Sequence, residues 1–344
     1  MTPPSSIAVL RFGAVGDVLL TAPALEALKG AWPTTRVLFV VKERLAPLVA
    51  HHPAVDEVVA LAEGEGVGAL ARRLRGRGVA AVLDLHGKLR SRALRLWLPG
   101  VPWVSWHKRE LRETLAVKLA RRPYRAKMPF ADRYHAAVER AVGRRLPRGR
   151  LRYHLGPDDA AAGERALREA GADPGRPILA LSPGAKWETK RWPAERFGEL
   201  AARALAAGLQ VVVQGTEDER PLTREIREAA PGIADLTGRL DLAALGGVLD
   251  RCAAFAGNDS GPMHMARGLG VPTLAFFGST DPGMFEFAGH RALSVALPCA
   301  PCSFFGRASC PEGHFRCMLD LGVDEAWRAL QPLLEGGRRA WPSG

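Results

Sequence analysis

The chain has 344 residues, 47% hydrophobic and 24% charged, a length that suits two domains and a composition that excludes a disordered or fibrous protein. No apolar run approaches the roughly 20 residues that span a bilayer, and Met1–Ser6 carry neither the basic nor the apolar stretch of a secretory signal, so a cytoplasmic protein is expected. The net charge of +12 is uneven: Arg72–Arg152 holds 23 Lys and Arg against five acidic residues, while the rest holds 25 against 31. Such a field draws an anionic partner, whether nucleic acid, an anionic membrane or an acidic glycolipid. Nucleic acid is disfavoured and not expected as the partner, because Trp97, Trp103 and Trp106 form no recognisable RNA- or DNA-binding motif.

Taken in chain order, Ile7–Arg11 reads as a strand, followed by a Gly-containing loop and a helical pattern over Val18–Ala31. Further strands are expected at Arg36–Val41, Val58–Leu61 and Ala80–Leu85. Strands separated by helices imply a parallel, doubly wound sheet. The Arg-rich stretch Trp97–Arg152 is less periodic and is expected to form helices around an acceptor surface. A linker with turn signals covers Leu151–Pro177. The alternation then restarts, with strands at Ile178–Leu181, Leu209–Gln214, Ala253–Ala256 and Thr273–Phe277. Helices are expected at Pro193–Ala207, Pro221–Ala230, Leu242–Cys252, Pro262–Leu269 and Val323–Leu334. The chain thus divides into 1–155, 172–322 and a closing helix at 323–335. Two Rossmann-like halves would place ligands at the carboxyl ends of their strands, in a cleft between them.

Three turns carry candidate chemistry. Arg11–Asp17 joins the first strand to the first helix. Gly13 and Gly16 there let the backbone approach a ligand, but their spacing is not the dinucleotide fingerprint. Asp17 reads locally as a helix cap, though a carboxylate at this place can also act as a general base. The second turn, Ser182–Pro193, offers Ser182, the backbone around Gly184, and Lys186 and Lys190 to a diphosphate. The third, Gly257–Ala266, places Asp259, Ser260 and Gly261 at a helix start, with His264 one turn inside. Cys299, Cys302, Cys310 and Cys317 have a spacing compatible with a structural four-thiolate Zn²⁺ site, with His314 as a spare ligand. Cys252 reads as a small core residue.

The segments RFGAVGDVLLTAPALEALK, DLHGKLRS, SPGAKWETKRWPAERFGEL, DLTGRLDLAALGGVL and GNDSGPMHMARGLGVPTLAFFGSTDP, in that order, resemble the ADP-heptose:lipopolysaccharide heptosyltransferases (glycosyltransferase family nine) over nearly the whole chain. The resemblance implies an α/β fold of GT-B type and inverting transfer of heptose from ADP-heptose to an acceptor hydroxyl, with no cofactor required for catalysis. It assigns Asp17 as general base, in place of the simple cap that local sequence favours. It gives Lys190 to the phosphates, Glu219 to the nucleotide ribose, with Glu217 as a nearby competitor, and Asp259, Ser260, Gly261 and His264 to the donor site beside Ser182 and Gly184. Ser260 stands where the family more often has Thr, which keeps the hydroxyl. The acceptor, an acidic glycolipid at the inner membrane surface such as lipopolysaccharide inner core, is expected against Gly16, His86, Lys88 and Arg90. A monomer is expected.

Overall fold

The computed structural model describes residues 2–106, 125 and 128–336. Part of the Arg-rich stretch, residues 107–124 with 126 and 127, therefore lies outside the described residues. Two compact units emerge: residues 2–106 with 128–154, and residues 155–336.

The first unit is built on five parallel strands: β1 Ser6–Leu10, β2 Arg36–Lys42, β3 Glu57–Leu61, β4 Ala81–Asp84 and β5 Trp103–Ser105, in the order β3-β2-β1-β4-β5. Every residue of β1 is buried, as a central strand covered on both faces requires. Its helices are α1 Val15–Leu19, α2 Ala22–Ala31, α3 Val67–Gly76, α4 Leu89–Leu96 and α5 Phe130–Val142. Leu70 and Leu74 of α3 and Leu94 of α4 pack with Ala8, Leu10, Leu38 and Val40 of the sheet; each such leucine stabilises the fold by about 2 kcal/mol through the area it removes from water.

The helical pattern expected over Val18–Ala31 is two helices. Pro23 lies in the first turn of α2, where its missing N–H costs nothing but where a continuous helix would need that donor. Thr21 marks the break, and its hydroxyl donates to the Val18 carbonyl at 2.6 Å. The short β5 was not expected inside the Arg-rich stretch.

The second unit has six parallel strands: β6 Ile178–Ser182, β7 Gln210–Val213, β8 Ala234–Asp235, β9 Ala254–Asn258, β10 Thr273–Phe277 and β11 Arg291–Ser294, in the order β11-β10-β9-β6-β7-β8. Its helices are α6 Pro157–Glu169, α7 Ala194–Ala206, α8 Arg220–Ala229, α9 Leu242–Asp250, α10 Gly261–Leu269, the short α11 Arg316–Leu319 and α12 Val323–Glu335. In the core, Trp192 stacks on Phe276 at 4.2 Å between ring centroids, with Phe197 edge-on to both. The Trp192 indole N–H donates to the Leu321 carbonyl at 3.0 Å, so the buried ring leaves no polar group unpaired.

The segment expected as linker contains α6. This helix packs on α9 so closely that a Cβ on Gly163 or Gly247 would overlap the opposing backbone. The contact depends on two glycines far apart in sequence, which is why periodicity did not reveal it.

In both sheets the first strand of the unit lies between the second and the fourth. The order in which strands are added therefore reverses between β1 and β4 in one unit, and between β6 and β9 in the other. At such switch points the loops at the strand carboxyl ends diverge and leave a crevice for a ligand.

Candidate active site

The loop after β1 carries Asp17 on α1, at the third helical position rather than at the cap. The cap residue is Ala14, whose N–H donates back to Asp17 Oδ2 at 3.2 Å. The same oxygen is ion-paired with the Arg11 guanidinium, and the Tyr134 hydroxyl of α5 lies 3.4 Å from Oδ1. Arg11 is itself buried, donates from Nη1 to the Leu85 carbonyl at 2.8 Å, and lies over the Tyr134 ring. About a third of the Asp17 side chain remains exposed, 32% against 6% for Arg11. The carboxylate is thus fixed in direction and still open to solvent.

The loop after β4 is shaped by Asp84. This wholly buried carboxylate accepts the N–H groups of His86 and Gly87, both at 2.9 Å, and the Ser91 hydroxyl at 2.9 Å. Gly87 has φ +62°, and a Cβ there would come 2.7 Å from Trp106 Nε1, so this turn requires glycine. His86 lies against Phe12 at 4.7 Å. Lys88 caps α4 and is exposed. Arg90 is half-buried: it donates to the Glu65 carbonyl and lies over the Phe12 ring. Gly16, in the first turn of α1, accepts the Leu20 N–H through its carbonyl at 2.9 Å. The sequence-expected residues Gly16, Asp17, His86, Lys88 and Arg90 therefore all belong to the turns at the carboxyl ends of β1 and β4. Tyr134 and the pairing role of Arg11 were not anticipated.

In the second unit, Ser182 ends β6 and the loop 183–193 returns to α7. Asn258, wholly buried at the end of β9, holds that loop at both ends: Nδ2 donates to the Pro183 carbonyl at 2.7 Å and Oδ1 accepts the Trp192 N–H at 3.0 Å. Lys190 is thereby brought to Asp259, with Nζ 2.6 Å from Oδ2. Thr280 donates its hydroxyl to the same oxygen at 2.8 Å. Burial pushes the Asp259 carboxyl up, but the Lys190 ammonium and its hydrogen bond outweigh this and hold it below the ordinary carboxylate range. Thr189, next to Lys190, shares a hydrogen bond with Ser279 at 2.9 Å and receives the Arg307 N–H at 2.8 Å.

Ser260 caps α10, yet its buried hydroxyl has no partner among the described residues. Gly261 opens the helix, and Pro262 in the first turn gives up only an N–H that no helical carbonyl would receive. His264 is buried against Phe285 at 4.7 Å, with Arg267 Nη1 3.4 Å from Nδ1. Arg267 itself was not anticipated. It is buried over the Phe287 ring at 4.4 Å, and desolvation lowers its pKa to about 10 against the opposing pull of Glu286 and Asp259.

Glu219 and Glu217 separate clearly. The Glu219 carboxylate lies directly on Gly184, where a Cβ would overlap it, and accepts the Thr216 N–H at 2.9 Å. Glu217 instead abuts Gly238 and pairs with Arg220. Glu219 is therefore the glutamate against the Ser182–Gly184 turn. The Ser182–Gly184 turn, a helix start with an unpaired hydroxyl and a lysine are groups that could receive an anion such as a diphosphate.

Residues 67–314 match the model of "Glycosyltransferase family 9 (heptosyltransferase)". The chain is also 33% identical over 312 residues to lipopolysaccharide heptosyltransferase 1 of Pseudomonas aeruginosa, covering 86% of this chain and 85% of that protein. This chain belongs to glycosyltransferase family 9. Among solved structures, this family 9 glycosyltransferase is similar to the family 9 glycosyl transferase of Veillonella parvula (TM-score 0.82, 22% identity, 97% and 98% of the two chains). It is also similar to E. coli heptosyltransferase WaaC with ADP-2-deoxy-2-fluoro heptose (TM-score 0.68, 20% identity, 95% and 99%). These likenesses establish the GT-B fold.

The four clustered cysteines of the family 9 enzyme are not joined in disulfides. Cys299 Sγ is 3.6 Å from His314 Nε2. Burial raises the Cys302 pKa, and raises that of Cys317 to about 12. The thiols of Cys299, Cys302, Cys310 and Cys317 lie near enough to act on one another electrostatically. Among the described residues, the group that brings three candidate ligand atoms within 4.8 Å of one another is Glu26, His52 and His154 in the first unit. There, however, His52 Nδ1 accepts the Ala54 N–H at 3.1 Å, which puts the ring proton on Nε2 and leaves that nitrogen without a lone pair for a metal. Cys252 is buried, as a core residue should be. Among the described residues no helix is long and apolar enough to cross a membrane.

Proposed function

We propose that this enzyme transfers heptose from ADP-heptose to a hydroxyl of an acidic glycolipid, of the lipopolysaccharide inner-core class, with inversion at the anomeric carbon and Asp17 as general base. The observation that carries this reading is the Asp17 carboxylate, held by Arg11, Tyr134 and the Ala14 N–H at the switch point of the first sheet while still partly exposed. The acceptor hydroxyl gives its proton to Asp17 as its oxygen forms a bond to the anomeric carbon. The bond from that carbon to the β-phosphate oxygen breaks on the opposite face, and ADP departs with the electron pair.

Charge then grows on the diphosphate and must be met by donors already in place. Lys190 fits this role, because Asp259 takes one of its three N–H donors and fixes the direction of the others. Ser260 Oγ and the backbone N–H groups at the start of α10 supply further donors. Glu219, against Gly184, is placed to accept hydrogen bonds from the ribose hydroxyls. His264, one turn inside α10, completes the donor side. Support for ADP-heptose comes from family membership and from the related E. coli enzyme bound to an ADP-heptose analogue. On the acceptor side Lys88 is exposed and suits an anionic group, whereas Arg90 supports the loop through Glu65 and Phe12 as well. We place the enzyme on the cytoplasmic face of the membrane that holds its acceptor.

The test is a transfer assay with ADP-heptose and heptose-free lipopolysaccharide, alongside calorimetric binding of ADP, UDP and GDP. Transfer with selective ADP binding supports the reading. A preference for UDP or GDP overturns the donor assignment.

A further inference from the structure

We propose that α4 is a docking surface for an anionic lipid bilayer. This deepens the reading of a membrane-held acceptor and rests on it for its purpose, but it can be tested apart from it. Among the described residues, three of the large apolar side chains left exposed belong to this one helix and its cap: Leu89 at 85%, Leu96 at 83% and Trp97 at 52%. Leu89, Arg92, Ala93 and Leu96 recur at the i, i+3, i+4, i+7 spacing of a single helix face. The inner side of the helix is anchored separately, through Leu94 in the core and Ser91 on Asp84. The exposed leucines therefore do no packing within the fold, although each leaves apolar area in water at a cost.

Charge selects the partner. Residues 88–97 contain Lys88, Arg90, Arg92 and Arg95 and no acidic residue, and Arg92 and Arg95 are exposed beside the leucines. The neighbouring α3 adds exposed Arg72 and Arg75. Leucine and tryptophan interleaved with arginine match a bilayer interface, where apolar groups enter the acyl boundary and guanidinium groups stay with lipid phosphates. The edge of the Trp97 ring lies 3.4 Å from the Cβ position of Gly68 on α3. The indole is thus seated on α3 while half of it faces outward, as at a lipid headgroup level. A second copy of the chain is a poorer occupant, because a two-fold contact would set Arg92 and Arg95 against their own copies.

The experiment is flotation of the full chain with vesicles of phosphatidylglycerol and phosphatidylcholine, compared with phosphatidylcholine alone, without donor or glycolipid. The unmodified protein should float with the anionic vesicles, and less so as salt is raised. L89E/L96E should lose binding about tenfold or more while melting at the same temperature, since both leucines lie outside the core. R92Q/R95Q should lose binding mainly on the anionic vesicles. Both variants should transfer at the unmodified rate to a delipidated acceptor saccharide. Equal flotation of L89E/L96E and the unmodified protein, no flotation of either, or self-association lost with Leu89 and Leu96 would each overturn the proposal. Failure of the transferase reading would appear instead as absent transfer to the saccharide with vesicle binding intact.

Discussion

The Lys190 ammonium lies 2.6 Å from the Asp259 carboxylate, with 14% and 5% of the two side chains exposed. Breaking such a buried pair strands the remaining charge, at a cost of about 3–5 kcal/mol. Asp259→Leu should therefore lower stability to urea more than Lys190→Met, because Asp259 also holds Thr280. The Asp259 pKa is depressed, so its contribution is complete above the ordinary aspartate value of 3.8 and is lost as pH falls below it. Urea melts of the unmodified protein and Asp259→Asn across the acid range should converge at low pH.

Asp17→Asn keeps the shape of the side chain but removes the proton acceptor. Transfer should fall by about 10²–10⁴-fold while ADP binding by calorimetry stays unchanged. Tyr134→Phe, which removes the 3.4 Å contact to Asp17 Oδ1, should lower kcat a few-fold. Unimpaired transfer by Asp17→Asn would show that the carboxylate only orders the loop.

Gly184 and Glu219 should be coupled. Gly184→Ala forces the Glu219 carboxylate away from the turn, which should weaken ADP binding and destabilise the fold by about 1–3 kcal/mol. Adding Glu219→Ala should recover the stability but not the affinity. A double-mutant cycle measures the difference, and strictly additive stabilities would contradict the contact.

Asn258 holds a donor and an acceptor that cannot be exchanged. Asn258→Asp sets a carboxylate oxygen against the Pro183 carbonyl in a fully buried site. It should destabilise by more than the roughly 1–3 kcal/mol of an ordinary unsatisfied buried group. Asn258→Asp melting above Asn258→Ala in calorimetry would contradict this.

His52 is buried and His290 half-buried, and the pKa of each is lowered from 6.5 to about 4: desolvation is the larger cause, followed by His154 for His52 and Arg267 for His290. Between those values the unfolded chain binds protons that the folded chain does not. Stability should fall as pH drops from 6.5 towards 4, by a few kcal/mol in total. Replacing His52 by Gln should flatten that slope, as followed by chemical denaturation at successive pH values.

Much of this enzyme was legible along the chain. Apolar runs alternating with helical patterns determined two parallel α/β units, because strand and helix periodicity depend on neighbours a few residues apart. The turn after β1 and those after β6 and β9 could likewise be located, since glycine, proline and capping residues act through the local backbone. Tertiary structure decided what those turns hold. Tyr134 reaches Asp17 across 117 residues, Asn258 ties down both ends of the Pro183–Trp192 loop, and only packing on Gly184 distinguishes Glu219 from Glu217. The approach of α6 to α9 through Gly163 and Gly247 is of the same kind. Each of these contacts follows from how sheets and helices stack, and no residue in them carries a local mark of its distant partner.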